Sequence, residues 1–153
     1  RENLSFDSPI MSDTAALHEL VAVMIQAAPG IHCLRDPTRG GLGSALNEIA
    51  QQSGVGMRLR EAAIPVHEPV RALCEFLGLD PLYVANEGKL LAICPAELAE
   101  TVRATLREHP LGQEAAIIGE VVEDRHGFVE METTFGGRRL VDWLSGEQLP
   151  RIC

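Results

Sequence analysis

The sequence predicts an α+β domain in which a mixed β-sheet is covered by helices. Three observations support this class. Longer segments place apolar residues at helical spacing, short apolar segments have the length and alternation of strands, and Gly or Pro separates them. With 153 residues, the chain is long enough for one domain with a sizeable core. Because aromatic residues make up only 4% of the sequence, we expect that core to be aliphatic.

The predicted elements alternate between helix and strand in the first part of the chain. Ser12 or Asp13 is the candidate cap of a first helix that runs to about Ala28 and stops at Pro29-Gly30. Further helices are expected at residues 42–53, 69–77 and 95–108. Strands are expected at residues 31–34, 55–59, 82–85, 89–94, 116–122, 128–131 and 138–141. The strands at 82–85 and 89–94 flank Asn86-Glu87-Gly88, a sequence typical of a hairpin turn.

Charge and cysteine content narrow the functional class. A net charge of −9 argues against binding to nucleic acid or to an anionic membrane surface. No apolar segment is long enough to span a bilayer, and the start does not resemble a signal peptide. The four cysteines are dispersed and form no CxxC pair, so we expect neither a disulfide framework nor a metal site. Reduced thiols without an export signal indicate the cytoplasm.

The sequence suggests three regions. It begins at Arg1 rather than Met, so we expect residues 1–12 to be a linker at the start of a fragment from a longer protein, although a processed N-terminus is an alternative. Residues 13–144 are expected to form the domain, and residues 145–153 a flexible tail. Cys33 and Cys94 lie in apolar, strand-like segments and are expected to be free core cysteines.

The tail ends in a cysteine, Cys153, within Leu-Pro-Arg-Ile-Cys. Pro150 disfavours helix at Leu149, which predicts an extended tail. Roughly 9 residues at ~3.3 Å each would reach ~30 Å. The tail is therefore a candidate swinging arm that carries a thiol to a distant site. The alternative is an accidental cysteine on a frayed end.

A glycine turn, residues 36–43 (Asp-Pro-Thr-Arg-Gly-Gly-Leu-Gly), separates a predicted strand from a predicted helix. Glycines let a backbone approach a ligand closely, and a helix N-terminus presents amide groups to an anion. Thr38 adds a hydroxyl, Arg39 a bidentate phosphate partner, and Asp36 a contact for a metal or a hydroxyl. The sequence lacks the GK[ST] of a Walker A motif. A simple strand-to-helix turn capped by Asp36 or Thr38 is the alternative.

Two further turns carry candidate residues. The acidic turn, residues 86–89 (Asn-Glu-Gly-Lys), is either a plain hairpin turn or a site that holds the Glu87 carboxylate beside a cation. Partial burial would raise the pKa of Glu87 and suit it to act as a general base. Residues 133–139 are expected to be a glycine turn between strands, with Arg138 or Arg139 in a partner surface as the alternative.

Taken together, these motifs resemble the C-terminal half of the HypE family, the carbamoyl dehydratases of [NiFe]-hydrogenase maturation, within the PurM-like superfamily. The matching motifs are Ser12-Asp13, residues 36–41, residues 85–90, residues 118–121 and the terminal Pro-Arg-Ile-Cys. The resemblance extends from about Asp7 to the end of the chain. The terminal motif is the most specific part, because related enzymes such as selenophosphate synthetase and thiamine-phosphate kinase do not need a terminal cysteine.

The resemblance implies a PurM C-terminal type of fold, loosely like a ferredoxin fold, and a specific chemistry. HypF would transfer a carbamoyl group to Cys153, ATP would activate its oxygen, and loss of water would leave a thiocyanate. The cyano group would then pass to iron on HypC and HypD. Glu87 matches the family's candidate base. The residues implied in phosphate handling are Asp36, Thr38, Arg39, Gly40 and Gly41.

The resemblance also implies an ATP-binding domain that precedes this region and supplies most of the contacts to ATP and Mg. We therefore expect no cofactor bound to this region and no activity from it alone, with a homodimer possible for the full-length protein. The competing functions are another PurM-like ATP-dependent enzyme and a non-catalytic docking module of a maturation complex.

Overall fold

The computed structural model describes residues 10–144 and residue 146. Cys153 and the other residues of the expected tail, apart from Gly146, lie outside this part. The helices are α1 (His18–Ala27), α2 (Gly41–Ser53), α3 (Glu68–Leu77) and α4 (Ala99–Arg107). The strands are β1 (Cys33–Arg35), β2 (Gly56–Arg60), β3 (Leu91–Ile93), β4 (Gly119–Val122), β5 (Val129–Glu132) and β6 (Arg138–Leu140). Short 3₁₀ turns lie at Glu61–Ala63, Pro81–Tyr83, Ala96–Leu98 and Pro110–Gly112.

Four strands form a large mixed sheet in the order β4-β2-β5-β6. Strand β2 is antiparallel to β4 and parallel to β5, and β5 is antiparallel to β6. In this register Met57 lies opposite Val121 and Val129. The mixed sheet and its covering helices confirm the predicted α+β class.

The inner face of the large sheet holds the main apolar core. Side chains of a strand alternate between the two faces, and Met57, Leu59, Val129 and Met131 all turn inward and are at most 3% exposed. Helix α2 adds Leu46 and Ala50, one turn apart along the same face. The covering helix and the sheet therefore share one close-packed aliphatic core.

The outer face of the large sheet carries charges in register. Arg58 Nε donates to Glu130 at 2.7 Å, and Arg58 Nη1 reaches Glu120 at 3.3 Å. The hydrogen bond from Arg58 holds the pKa of Glu130 below its ordinary value, and the nearby charge of Arg138 adds to the effect. This face is therefore a solvated ladder of ion pairs.

The remaining two strands form a separate small sheet. Strands β1 and β3 are antiparallel, with Cys33 opposite Ile93. A second apolar cluster lies beneath them. It contains Met24 of α1, Ala28 directly after that helix, and Val102 of α4. No helix in the part of the chain described here is long and apolar enough to cross a membrane.

The predicted hairpin of residues 82–94 is wrong. Its first strand is instead the 3₁₀ turn Pro81–Tyr83, where Asp80 Oδ1 accepts a hydrogen bond from Leu82 N at 3.0 Å. Pro81 occupies the first position of this turn, where its missing N–H costs nothing. The second strand does form, but β3 pairs with the distant β1.

The predicted cap of the first helix is also wrong. Helix α1 begins at His18, five residues after Asp13, and no side chain caps it. Ser12 instead donates a hydrogen bond from its hydroxyl to Thr14 Oγ1 at 3.0 Å. The polar residues before α1 are therefore available for contacts elsewhere in the fold.

Candidate functional site

Two connections between the large and the small sheet run side by side. The first leads from β1 through the glycine turn into α2, and the second leads from Pro81–Tyr83 through the acidic turn to β3. Asn86 N donates a hydrogen bond to Pro37 O at 3.1 Å and joins the two connections. We call this junction, formed by residues 36–43 and 81–89, the seam. It unites motifs that lie about fifty residues apart in the sequence.

The glycine turn depends on Gly41. Gly40 and Gly41 have φ angles of 68° and 60°, in the left-handed region that favours glycine. A Cβ atom on Gly41 would lie 2.5 Å from Leu82 O and 2.6 Å from Val84 O. The turn thus packs its backbone directly on the second connection, which explains this glycine without a ligand.

The polar side chains of the glycine turn point to a different role. Asp36 and Arg39 are exposed, and within the described residues their side chains have no hydrogen-bond or ion-pair partner. No side chain caps α2, so the alternative in which Asp36 or Thr38 serves as its cap is wrong. The first amides of a helix lack intrahelical acceptors and attract anions. Arg39 beside this helix start therefore fits a phosphate group.

The acidic turn is held by Asp13. The Asp13 carboxylate accepts hydrogen bonds at Oδ2 from Glu87 N at 3.3 Å and from Lys89 Nζ at 3.2 Å. Gly88 lies against the Asp13 carbonyl, where a Cβ atom would overlap it. The sequence marked Asp13 as a candidate helix cap and as part of the Ser-Asp motif that matches the family, but not as a partner of the acidic turn. No local pattern marks its actual role, because its partners lie more than seventy residues away.

Glu87 projects from this anchored backbone into solvent. Its side chain is exposed, so the described residues do not supply the partial burial that we expected from the sequence. Within the same residues its carboxylate has no hydrogen-bond or ion-pair partner. The geometry leaves the carboxylate available to a ligand, and its role as a base stays a prediction.

The residues directly after β6, Val141 and Asp142, are hydrogen-bonded to side chains of α2 and of the second connection. Asn47, only 5% exposed, donates hydrogen bonds from Nδ2 to Gly43 O at 2.9 Å and to Val141 O at 2.8 Å. Tyr83 donates its hydroxyl to Asp142 O at 2.7 Å. Neither Asn47 nor Tyr83 was a candidate in the sequence, because an isolated polar residue in an apolar segment carries no motif.

The other candidate residues have structural roles in this part of the chain. Residues 133–137 form a tight turn, with Thr133 N donating to Gly137 O at 2.8 Å, and Arg139 pairs with Asp80 at 2.8 Å. Cys33, Cys74 and Cys94 are free thiols, and burial raises the pKa of Cys74 and Cys94. Protonated thiols are poor nucleophiles. Within the described residues, no three His, Cys, Asp or Glu side chains come together as a metal site.

The mixed sheet with its seam defines a PurM-like α+β domain. A structure of PurL from T. maritima has a TM-score of 0.57 at 14% identity, a likeness of fold alone that covers 86% of this chain and 22% of that one. Residues 1–132 match the model of the AIR synthase related protein, C-terminal domain, and the chain belongs to this family.

Within that family, the chain is 72% identical over 153 residues to the carbamoyl dehydratase HypE of Azotobacter vinelandii and 67% identical to that of Cupriavidus necator. It is matched over 100% of its length, against 45% and 44% of these relatives. The matched region is a C-terminal part of the relative. The chain thus spans about half the length of the relatives, and the predicted resemblance is confirmed.

Solved structures agree with this placement. A crystal structure of the hydrogenase maturation protein HypE has a TM-score of 0.90 at 52% identity and covers 98% of this chain and 49% of that one. HypE in complex with ATP has a TM-score of 0.89 at 52% identity, covering 98% and 46%. The HypE-HypF complex has a TM-score of 0.87 at 41% identity, covering 94% and 46%.

Proposed function

We propose that this chain is the C-terminal domain of a carbamoyl dehydratase that makes the cyanide precursor for a [NiFe] centre. The observation that carries the proposal is 72% identity to HypE of Azotobacter vinelandii along all 153 residues. Because the chain spans about half of that relative, the activity belongs to the full-length protein, and we expect this region alone to be inactive.

The reaction has two steps on one sulfur atom. First, the Cys153 thiolate attacks the carbonyl carbon of an activated carbamoyl group held by HypF. The S–C bond forms as the bond from that carbon to the activating group breaks, the activating group leaves with the bonding electrons, and a thiocarbamate results. Next, the thiocarbamate oxygen takes the γ-phosphoryl group of ATP and releases ADP. The C–O bond then breaks and phosphate leaves with that oxygen. The nitrogen loses its two protons, and a thiocyanate remains on the sulfur. Thiocarbamate and ATP thus yield thiocyanate, ADP and phosphate.

The seam supplies two groups that this chemistry needs. Glu87 takes protons from the amide nitrogen, and the hydrogen bond from its backbone to Asp13 holds the acidic turn in place. Arg39 binds the departing phosphate, together with Asp36, Thr38 and the backbone of Gly40 and Gly41 at the start of α2. The unpartnered side chains of Glu87, Asp36 and Arg39 within the described residues support this assignment.

ATP and its Mg ion would be held mainly by the preceding domain that the resemblance implies. The seam offers the Arg39 cation and the amides at the start of α2, both of which fit phosphate. The HypE structure in complex with ATP supports ATP as the co-substrate. The HypE-HypF complex supports HypF as a partner. Delivery to HypC and HypD, and a homodimer, rest on the resemblance alone.

Mass spectrometry of the full-length protein tests this proposal. After incubation with HypF, carbamoyl phosphate and ATP, we expect Cys153 to gain one carbamoyl group and then to lose one water. Cys153→Ala should gain nothing. An unmodified Cys153 in the wild-type protein would contradict the proposal and favour the docking module.

Glu87→Gln separates the two steps. The variant should accept the carbamoyl group normally and dehydrate it at least ~100-fold more slowly, because general bases contribute about that factor or more. Glu123→Gln is the matched control, since Glu123 is also an exposed glutamate and lies far along the chain from the seam. Dehydration at the normal rate in Glu87→Gln would show that Glu87 is not the base.

A further inference from the structure

The segment after β6 is held in place before the chain reaches its last nine residues. We call residues 141–144 the tail root. Val141 N donates a hydrogen bond to Val129 O at 2.8 Å, and the Val141 side chain is only 1% exposed within the main core. The tail root therefore belongs to the folded body, although it follows the last strand.

Asn47 fixes the first residue of the tail root to α2. One amide nitrogen serves two carbonyls, Gly43 O within α2 and Val141 O in the tail root. Asn47 is almost fully buried, and a buried polar group that makes no hydrogen bond destabilises the fold. The two hydrogen bonds to Gly43 O and Val141 O satisfy this buried amide and connect α2 to the tail root.

Tyr83 fixes the next residue and links it to the seam. Its hydroxyl donates to Asp142 O at 2.7 Å, and its ring lies so close to Gly43 that a Cβ atom there would be 2.6 Å from Tyr83 Cε1. Burial raises the pKa of Tyr83, and the nearby Asp80 charge adds to the effect, so the phenol remains a donor at neutral pH. The carbonyls on either side of Tyr83, of Leu82 and Val84, are those that pack on Gly41.

The tail root ends beside the glycine turn. Leu144 Cβ lies 3.8 Å from the place where a Cβ atom on Gly40 would be. Nine residues, 145–153, connect this point to Cys153. At ~3.3 Å per residue they span at most ~30 Å. Cys153 therefore stays within ~30 Å of the edge of the seam.

We propose that Asn47 and Tyr83 are positioning residues that anchor the tail root beside the glycine turn and thereby raise the effective concentration of the Cys153 thiocarbamate at the seam. This proposal rests on the proposed function. Carbamoylation is an encounter with another protein, whereas dehydration is intramolecular and depends on the tether. Loosening the tail root should therefore slow dehydration and leave carbamoylation unchanged.

The size of the effect follows from the tether length. Release of the tail root would lengthen the tether from nine to thirteen residues, and effective concentration falls roughly as the −3/2 power of length. This change alone slows dehydration about twofold. The tail would also no longer leave the domain in a fixed direction, which slows dehydration further. We expect the dehydration rate to fall about twofold to fivefold in total.

Tyr83→Phe in the full-length protein is the main test, because it removes the bond to Asp142 and keeps the ring on Gly43. Single-turnover mass spectrometry would give the rates of both steps, and hydrogen exchange would report on the amides of residues 141–144. We expect faster exchange there, normal carbamoylation and about twofold to fivefold slower dehydration. Asn47→Ala should act in the same direction with a larger effect.

Thr133→Val is the matched control, since it removes two side-chain hydrogen bonds with Gly137, one donated and one accepted, just after the far end of β5. It should change neither step. Dehydration at the wild-type rate in Tyr83→Phe would overturn the proposal, whether or not exchange is faster. Equal slowing of both steps would overturn it too, because that is the mark of a general structural defect. Wild-type protein without any carbamoyl adduct would instead refute the proposed function itself.

Discussion

The two sheets differ in the size of the apolar core beneath them and in the ion pairs on their outer faces. Among the described residues, the cluster under the large sheet contains eight buried side chains, whereas the cluster under the small sheet contains three. The large sheet also carries a ladder of ion pairs on its outer face, centred on Arg58. Within residues 10–144, the small sheet consists of β1 and β3, each three residues long.

The two sheets therefore have different structural roles. The large sheet with α2 is the scaffold, and the small sheet depends on α1 and α4 for cover. The seam lies between them, and the start of α2 lies on the side of the larger core.

The largest expected effect tests this difference directly with two buried methionines. Met131, in the large core, is 1% exposed and Met24, in the small core, is 0% exposed. Met131→Ala should lower the free energy of unfolding by about 3–5 kcal/mol and Met24→Ala by about 2–3 kcal/mol, because the small cluster can collapse around the cavity. Urea denaturation measures both, and equal losses would mean that the two cores are equally rigid.

The next effect tests the seam with two glycines of the same conformation. Gly41 and Gly54 have φ angles of 60° and 62°, but a Cβ atom on Gly54 would meet nothing within 4 Å. Gly54→Ala should therefore cost only the left-handed strain of about 1 kcal/mol. Gly41→Ala adds a clash with the backbone at residues 82–84, and we expect about 3 kcal/mol. Similar unfolding midpoints for the two variants would show that the backbone of residues 82–84 moves easily to accommodate the added methyl group.

The smallest effect concerns the ion pairs of the large sheet. Folding lowers the pKa of Glu130, so the ionised carboxylate stabilises the fold above the ordinary glutamate pKa of ~4.3. This stabilisation is lost as the pH falls below that value. Glu130→Gln should thus have a lower urea midpoint than wild type at neutral pH, and the two should converge in acid.

Glu123→Gln is the control for this pH dependence, because Glu123 is exposed and its side chain has no ion pair within the described residues. Its curve should run parallel to that of the wild type. A constant gap between wild type and Glu130→Gln down to about pH 3 would show that Arg58 does not perturb Glu130.

Local pattern was sufficient for much of the fold. Helix α2 was predicted to within one residue, because its apolar residues keep helical spacing and Gly54 marks its end. Strands β2 and β5 were predicted to within a residue at each end, because buried and polar positions alternate along them. The failure at residues 82–85 is also local, since Asp80 and Pro81 close a 3₁₀ turn that outweighs the strand propensity of the residues that follow.

For the candidate site, the sequence by itself determined the parts: a glycine turn, an acidic turn, a Ser-Asp pair and a terminal thiol, each recognisable from residue types within a few positions. Only the tertiary structure decided that Asn86 bonds Pro37, that Asp13 holds the acidic turn, and that Asn47 and Tyr83 anchor the tail root. These contacts join residues that are about 50 to 90 positions apart. Their geometry is set by how the two sheets pack together, and no local pattern encodes that packing.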